Sequence, residues 1–220
     1  MCNGAARNRA QTQRLVLLLL IMLVTRLTAC RAAATAAGPA VKIGLVAPFE
    51  GRARSVGYDA IYAARLAVRE INEDGGAGGR AVALVAVDDS ADVDLARQAA
   101  ASLVVDPAVV AVVGHWQEET TAAAQTLYDE NDLALIVAGR APFDTVDAGL
   151  LPPDFVEKYA AVTPFDEVAG AYAGPTYDAF YLLFEALELA ESSGQISRES
   201  VAVALEGLQY DGVTGSVFRP

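Results

Sequence analysis

Four short apolar runs, each trailed by a helix-length segment, constrain this chain more than any other feature. They are Val41–Ala47 (VKIGLVA, ending at Pro48), Val82–Val87, Val109–Val113 with Gly114 at its tip, and Leu133–Val137. The runs are continuously apolar rather than alternating, which is the pattern of strands covered on both faces. Between the first two, Gly57–Asn72 places Ala60, Ala63, Ala64, Leu66, Ala67 and Ile71 at helical spacing, and Gly75-Gly76-Ala77-Gly78-Gly79 stops it. Asp88, Asp89 and Asp92 offer N-caps for a helix through Leu95–Val104, and Thr120–Glu130 reads as a third helix. The expected fold class is therefore α/β, a three-layer parallel sheet with helices on both faces. Only 7% of the residues are aromatic, so that core must be built from small, closely packed side chains.

The pattern breaks after Ala138. Residues 139–153 hold two glycines and three prolines without a helical or strand period, and read as a crossover loop. Three helical segments follow, Asp154–Ala161, Pro175–Ser192 and Ser197–Leu208, with Gly215–Phe218 as a last short strand. Residues 41–138 are thus expected to form one segment of the α/β unit, and residues 154–220 a helical segment completing it.

The N-terminus reads as an address. Arg7, Arg9 and Arg14 precede the apolar run Leu15–Val24, and no acid occurs before Glu50. Ten apolar residues are too few to cross the hydrocarbon layer as a helix, but the layout suits a secretory signal over 1–29. Leu27-Thr28-Ala29-Cys30 resembles a bacterial lipobox, which implies lipidation of Cys30; the alternative is an ordinary cleaved signal with an incidental cysteine. There are 2 cysteines, and Cys2 would leave with the signal, so a lipid thioether accounts for the remaining thiol. Residues 30–40 would then be the lipidated cysteine and an Ala-rich linker. The expected location is the outer face of the cytoplasmic membrane, held by the lipid anchor. The net charge of −12 argues against a nucleic-acid partner, because a basic surface is what displaces counterions from phosphates.

The order of motifs resembles type I periplasmic binding proteins, especially the leucine/isoleucine/valine-binding branch that serves ABC importers. The residues that carry the resemblance are Ile43-Gly44-Leu45-Val46-Ala47-Pro48, Ala67-Val68-Arg69-Glu70-Ile71-Asn72 leading into Gly75-Gly76, Val87-Asp88-Asp89, and Val112-Val113-Gly114-His115. Tyr177-Asp178-Ala179 and Asp211-Gly212-Val213-Thr214-Gly215 resemble the family's C-terminal part. Family members close two lobes over a ligand. The stretch between Val137 and about Tyr172 is too short for a second lobe, so the resemblance implies a shortened form with one lobe.

In open parallel sheets, ligands sit outside the carboxyl ends of the strands. The expected ligand-binding residues are therefore Phe49 and Glu50, then Trp116, Gln117, Glu118, Thr120 and Thr121, then Gly139 and Arg140. Free N–H groups where Gly114–Thr121 enters a helix favour an anion such as an amino-acid carboxylate. The resemblance implies that hydroxyls in this loop help to bind it. Glu118 and Glu119 would repel a carboxylate; they suit an ammonium or guanidinium, with Trp116 adding a cation–π face, or else they complement the helix dipole. His115, the only histidine, reads as structural, and the Tyr172, Tyr177 and Tyr181 cluster as packing. Asp88 and Asp89 read as one cap and one solvent-facing side chain. No nucleophile–base pair, metal set or phosphate loop is present in the sequence, so no enzyme activity and no cofactor are expected. Two functions remain. One is an extracytoplasmic lipoprotein binding an amino-acid-like solute and delivering it to an ABC permease, with a second copy as a candidate for the missing wall. The other is an envelope interaction or sensory module derived from such a lobe.

Overall fold

The computed structural model describes residues 38–140 and 143–218. The signal, the lipidation site Cys30 and most of the linker expected at the N-terminus lie outside them. Strands β1 (Val41–Ala47), β2 (Val82–Asp88), β3 (Val109–Gly114) and β4 (Ala134–Ile136) form one sheet in the order β2-β1-β3-β4. Each neighbouring pair is parallel, in register Ile43 with Leu84, Leu45 with Val113, and Val112 with Leu135. Chain direction across the sheet reverses between β1 and β3, which is where a crevice opens in such folds.

Alternation along the strands sorts the core into two layers. Ile43, Leu45, Ala111 and Val113 face helices α1 (Arg54–Glu73) and α5 (Ala173–Ser192), with Leu66, Phe180, Leu183 and Leu187 fully covered among them. Val46 and Val112 face the other way, against α2 (Val93–Val104) and α3 (Glu118–Asp129) through Ala100, Leu103, Ala124 and Tyr128. Gly44 lies on that second face, where a Cβ would stand 2.9 Å from a Leu103 methyl. A small residue in β1 therefore lets α2 approach closely, as the Ala-rich composition anticipates.

The motif residues turn out to be fasteners. Asn72, at the end of α1, pairs with the backbone of Val82 at 2.8 Å in both directions and so sets the start of β2. Glu70 accepts from the hydroxyls of Tyr177 at 2.6 Å and Tyr181 at 3.2 Å, and from Lys158 of α4 (Pro153–Ala160) at 2.9 Å. Burial alone would raise its pKa; those three donors outweigh burial and hold the carboxyl below its ordinary range.

The helices expected from the sequence are present with shifted ends. The first starts at Arg54, three residues before Gly57, and the last, α6 (Arg198–Leu205), stops before Gly207 takes a φ of 70°. Gly215–Phe218 is a strand, β6, paired antiparallel with β5 (Gln209–Gly212) as a separate hairpin. Asp178 holds that hairpin to α5, accepting from the N–H groups of Val213 and Thr214 at 2.9 Å each and from the Thr214 hydroxyl. A Cβ at Gly212 would stand 2.2 Å from the Asp178 carboxyl carbon. The two C-terminal motifs are therefore one contact.

At the amino ends of the strands, Arg198 collects backbone carbonyls. Its guanidinium donates to Val109 at 2.9 Å, Val104 at 3.0 Å, Asp106 at 2.9 Å and Asn131 at 3.4 Å. It thereby satisfies carbonyls left over at the end of α2 and ties α6 to two loops.

Candidate functional site

The strand tips are built around one tight approach. Gly114 ends β3 with a φ of 143°, and a Cβ there would stand 2.1 Å from the Val46 carbonyl oxygen. Only glycine lets β3 run this close to β1 at the point where chain direction reverses. The loop that follows, His115 to Gln117, therefore emerges beside the β1 loop that carries Phe49 and Glu50.

Asp88 and Asp89 stand at the next tip. Asp88 accepts from the N–H of Phe49 at 2.7 Å, the N–H of Ser90 at 2.9 Å and the Ser90 hydroxyl at 2.6 Å. Burial would raise its pKa, but these donors prevail and keep the carboxyl below its usual value. Asp89 is 1% exposed; its oxygens take the N–H of Ala91 at 3.0 Å and the Nδ1 side of His115 at 3.0 Å. Neither aspartate is the helix cap or the solvent-facing group expected from strand alternation. Asp92 caps α2, accepting from Asp94 and Leu95. Between them, Ser90 and Ala91 have φ values of 46° and 57°, a left-handed pair of non-glycine residues held by the two carboxylates.

His115 is structural, as its isolation in the sequence suggested. It is 0% exposed, and its Nε2 lies 3.0 Å from the hydroxyl of the equally buried Tyr128. Burial, with the Asp89 charge adding to it, pushes the Tyr128 phenol above its ordinary pKa.

The expected ligand residues separate into three groups. Thr120 is buried, and its hydroxyl donates to the Gln117 carbonyl at 3.1 Å. Thr121 turns its hydroxyl to the carbonyls of His115 and Gln117, at 2.6 Å each. Both hydroxyls thus serve the loop rather than the space outside it. Glu50, Gln117 and Glu118 are exposed, while Phe49 and Arg140 are half-buried. Glu118 and Glu119 occupy the first turn of α3, where negative charge complements the helix dipole.

Trp116 and Gly139 are brought together. A Cβ at Gly139 would stand 3.4 Å from the Trp116 ring and 2.9 Å from the ring of Tyr172. The Trp116 Nε1 is buried without a hydrogen-bond partner among the described residues. Tyr172 is thus set apart from Tyr177 and Tyr181, which bind Glu70 instead. Asp59, which sequence reasoning missed, stands on this side too. Its carboxylate is 3.4 Å from the Tyr172 N–H, and a Cβ at Gly170 would stand 2.1 Å from one of its oxygens. Burial raises the Asp59 pKa, against the backbone donors of Tyr172 and Gly170. Nothing in the first turns of an amphipathic helix marks such a residue.

Clefts are also present away from the strand tips. One, about 590 Å³, runs between α5 and α6 along Leu189, Ser193, Gln195, Ser200 and Val203. This cleft and two smaller ones, beside Gln125 and Ala202 and beside Val104 and Arg198, are lined by other residues than the expected ligand residues. Among the described residues no group of three or more His, Cys, Asp or Glu side chains could hold a metal ion. No described helix is long and apolar enough to cross a membrane. The strand-tip loops carry aromatic, acidic and backbone N–H groups.

Residues 40–150 match the family model described as periplasmic binding protein. An amino acid binding protein of Pseudomonas aeruginosa is 33% identical over 110 residues, 50% of this chain and 29% of that protein. This chain therefore spans less than a third of that curated relative. Among solved structures, the branched-chain amino acid transporter substrate-binding protein LivJ of Streptococcus pneumoniae, in complex with isoleucine, has a TM-score of 0.63 at 15% identity, covering 80% of this chain and 90% of that one. A substrate-binding protein of Desulfitobacterium hafniense in complex with leucine gives 0.64 at 16%, covering 80% and 92%. A solute-binding protein of Rhodopseudomonas palustris in complex with 3,4-dihydroxybenzoic acid gives 0.67 at 15%, covering 80% and 88%. At these identities the likeness is one of fold, and it agrees with the parallel three-layer architecture.

Proposed function

This chain belongs to the periplasmic binding protein family, and from that membership we propose that it is an extracytoplasmic solute-binding lipoprotein of an ABC importer, taking an amino acid or a similar small polar solute. The observation that carries the reading is the meeting of the β1 and β3 loops at the sheet's reversal point, with Trp116, Gly139 and Tyr172 packed beside them. In this reading residues 1–29 are the signal and Cys30 carries the lipid. Residues 41–138 and 154–220 build one lobe, with 139–153 as the crossover. The solute's carboxylate lies against the free N–H groups at the start of α3, and its ammonium faces Glu118. Phe49, Glu50, Gln117 and Arg140 complete the rim. Thr120 and Thr121 shape the loop from within.

One wall leaves the solute partly in water, where each polar contact is worth less than in a closed cleft. Binding by a single copy is therefore weak, and a second copy supplies the other wall for tight binding. A thermal-shift screen of the full chain with L-leucine, L-isoleucine, L-arginine and 3,4-dihydroxybenzoate tests this. A melting temperature that rises with the concentration of one class supports the reading through ligand linkage, and no rise at millimolar concentrations defeats it. Mass spectrometry of the mature N-terminus tests lipidation at Cys30.

The interaction-module reading draws on a different feature. Leu150, Phe165 and Val168 are 77%, 83% and 76% exposed, and all three fall between residues 139 and 172. Side chains of that kind in the crossover loop and between α4 and α5 favour a protein partner. Sedimentation that shows self-association without any solute effect on melting would support it.

A further inference from the structure

The geometry points to a positioning device beneath the candidate site, in which Asp88 and Asp89 lock the β1 and β3 loops to one another, Asp89 acting through His115. The functional consequence rests on the solute-binding reading; the device itself does not. Three strand tips are involved. Asp88 grips the β1 loop through the Phe49 N–H at 2.7 Å. The Asp89 N–H donates to the Ala47 carbonyl at 3.2 Å, again at the end of β1. The Asp89 side chain holds His115, the first residue of the β3 loop, and the His115 carbonyl accepts from Thr121 at 2.6 Å at the start of α3.

Hydrogen-bond matching assigns the imidazole proton. The Asp89 carboxylate only accepts, so Nδ1 carries the hydrogen and Nε2 receives the Tyr128 hydroxyl proton. Every polar atom of His115 then has a partner of the right kind within a fully buried site. The left-handed turn at Ser90 and Ala91 has the same owner, because the two carboxylates bind the N–H groups of both residues. A left-handed conformation of non-glycine residues persists where its surroundings over-determine it. Here those surroundings are the two carboxylates that fix the spacing between Phe49 and Trp116.

The full chain has one histidine and one tryptophan, which makes the device directly readable. In the wild type, nitrogen NMR is expected to show a His115 proton on Nδ1. In Asp89→Asn the amide donates to Nδ1, and the proton is expected to move to Nε2. Acrylamide quenching of Trp116, the residue after His115, is expected to rise in Asp89→Asn and in His115→Ala. Arg198→Ala, at the opposite end of the sheet, serves as the destabilised control and leaves quenching unchanged. For an amino acid that raises wild-type melting, Asp89→Asn is expected to weaken binding roughly tenfold, the equivalent of one charge-assisted hydrogen bond. Should His115→Ala fail to fold, Asp89→Asn carries the test alone. An unchanged tautomer together with unchanged quenching in Asp89→Asn overturns the proposal, whether or not any solute binds. Both changes without solute binding uphold the device and overturn only the solute-binding reading.

Discussion

The side chains that fasten the layers together and the side chains that rim the strand tips follow different rules. Glu70, Asp178 and Arg198 join elements distant in sequence through hydrogen bonds, and Asn72 joins α1 to the strand that follows it. Glu50, Gln117, Glu118 and Glu119 are exposed. Three of the first group, Glu70, Asn72 and Asp178, lie in the motifs by which the chain resembles its family. The motifs thus report how the lobe is assembled, while the choice of solute is left to side chains that the assembly does not constrain. This is why family membership follows from the sequence more readily than substrate identity.

Four experiments break or sharpen that contrast, in descending order of effect. Gly114→Ala should be the most damaging, because its Cβ would meet a backbone oxygen that has no room to retreat. A loss of more than about 3 kcal/mol is expected in chemical denaturation, in the class of backbone strain at a special φ. Arg198→Ala should cost about 2–4 kcal/mol by the same measurement, because it leaves several carbonyls without their charged donor. Arg198→Lys should recover only part of that, since an ammonium cannot span carbonyls that the guanidinium fork reaches at once.

The third concerns acid. Glu70 and Asp88 have folded-state pKa values below the ordinary carboxylate range, so their contribution is fully present above the unfolded values near 4. It is lost as pH falls through the lower folded values. Asp59 and Asp178, both raised first by burial, act with the opposite sign, and acid relieves them. Urea midpoints of the wild type should therefore fall at low pH, and Glu70→Gln should flatten part of that slope. A Glu70→Gln slope equal to the wild type would remove Glu70 from the fasteners. The smallest effect is expected at the rim. Glu118→Gln should change stability by less than about 0.5 kcal/mol while altering the order in which amino acids raise the melting temperature. A large stability loss there would erase the distinction between the two groups.

How much was legible follows the same division. VKIGLVA and its three companions announce buried parallel strands, because a sheet covered on both faces tolerates few polar side chains. The separate hairpin was half-seen, since QYDG is too short and too polar to show a strand period, and its partner Asp178 lies over thirty residues away. Asp88 and Asp89 were placed by the alternation of an ideal strand, but β2 ends in a left-handed turn where alternation no longer applies. Tyr172 was grouped with Tyr177 and Tyr181 by sequence proximity, although it precedes α5 whereas they lie within it. Asp59 and Gly170 could not be paired from sequence, because their meeting depends on how the segment before α5 crosses α1. Among the expected ligand residues, the placement after the carboxyl end of β1, β3 or β4 was legible. The inward turn of Thr120 and Thr121 was not, since a threonine reads alike whether it serves a ligand or its own backbone.

The sheet order also decides where this molecule is open to unwanted company. β4, on one margin, is only three residues long and offers an intruding chain little to pair with. β2, on the other, runs seven residues from Val82 to Asp88 with no charged side chain before its last. Among the described residues no strand pairs with its outer side. An extended margin of that length is a template for further strands, and Asp88 at its end is the one charged side chain within it. The carboxylate that grips the β1 loop therefore also stands guard at the sheet's more vulnerable border, so neutralising it would favour aggregation.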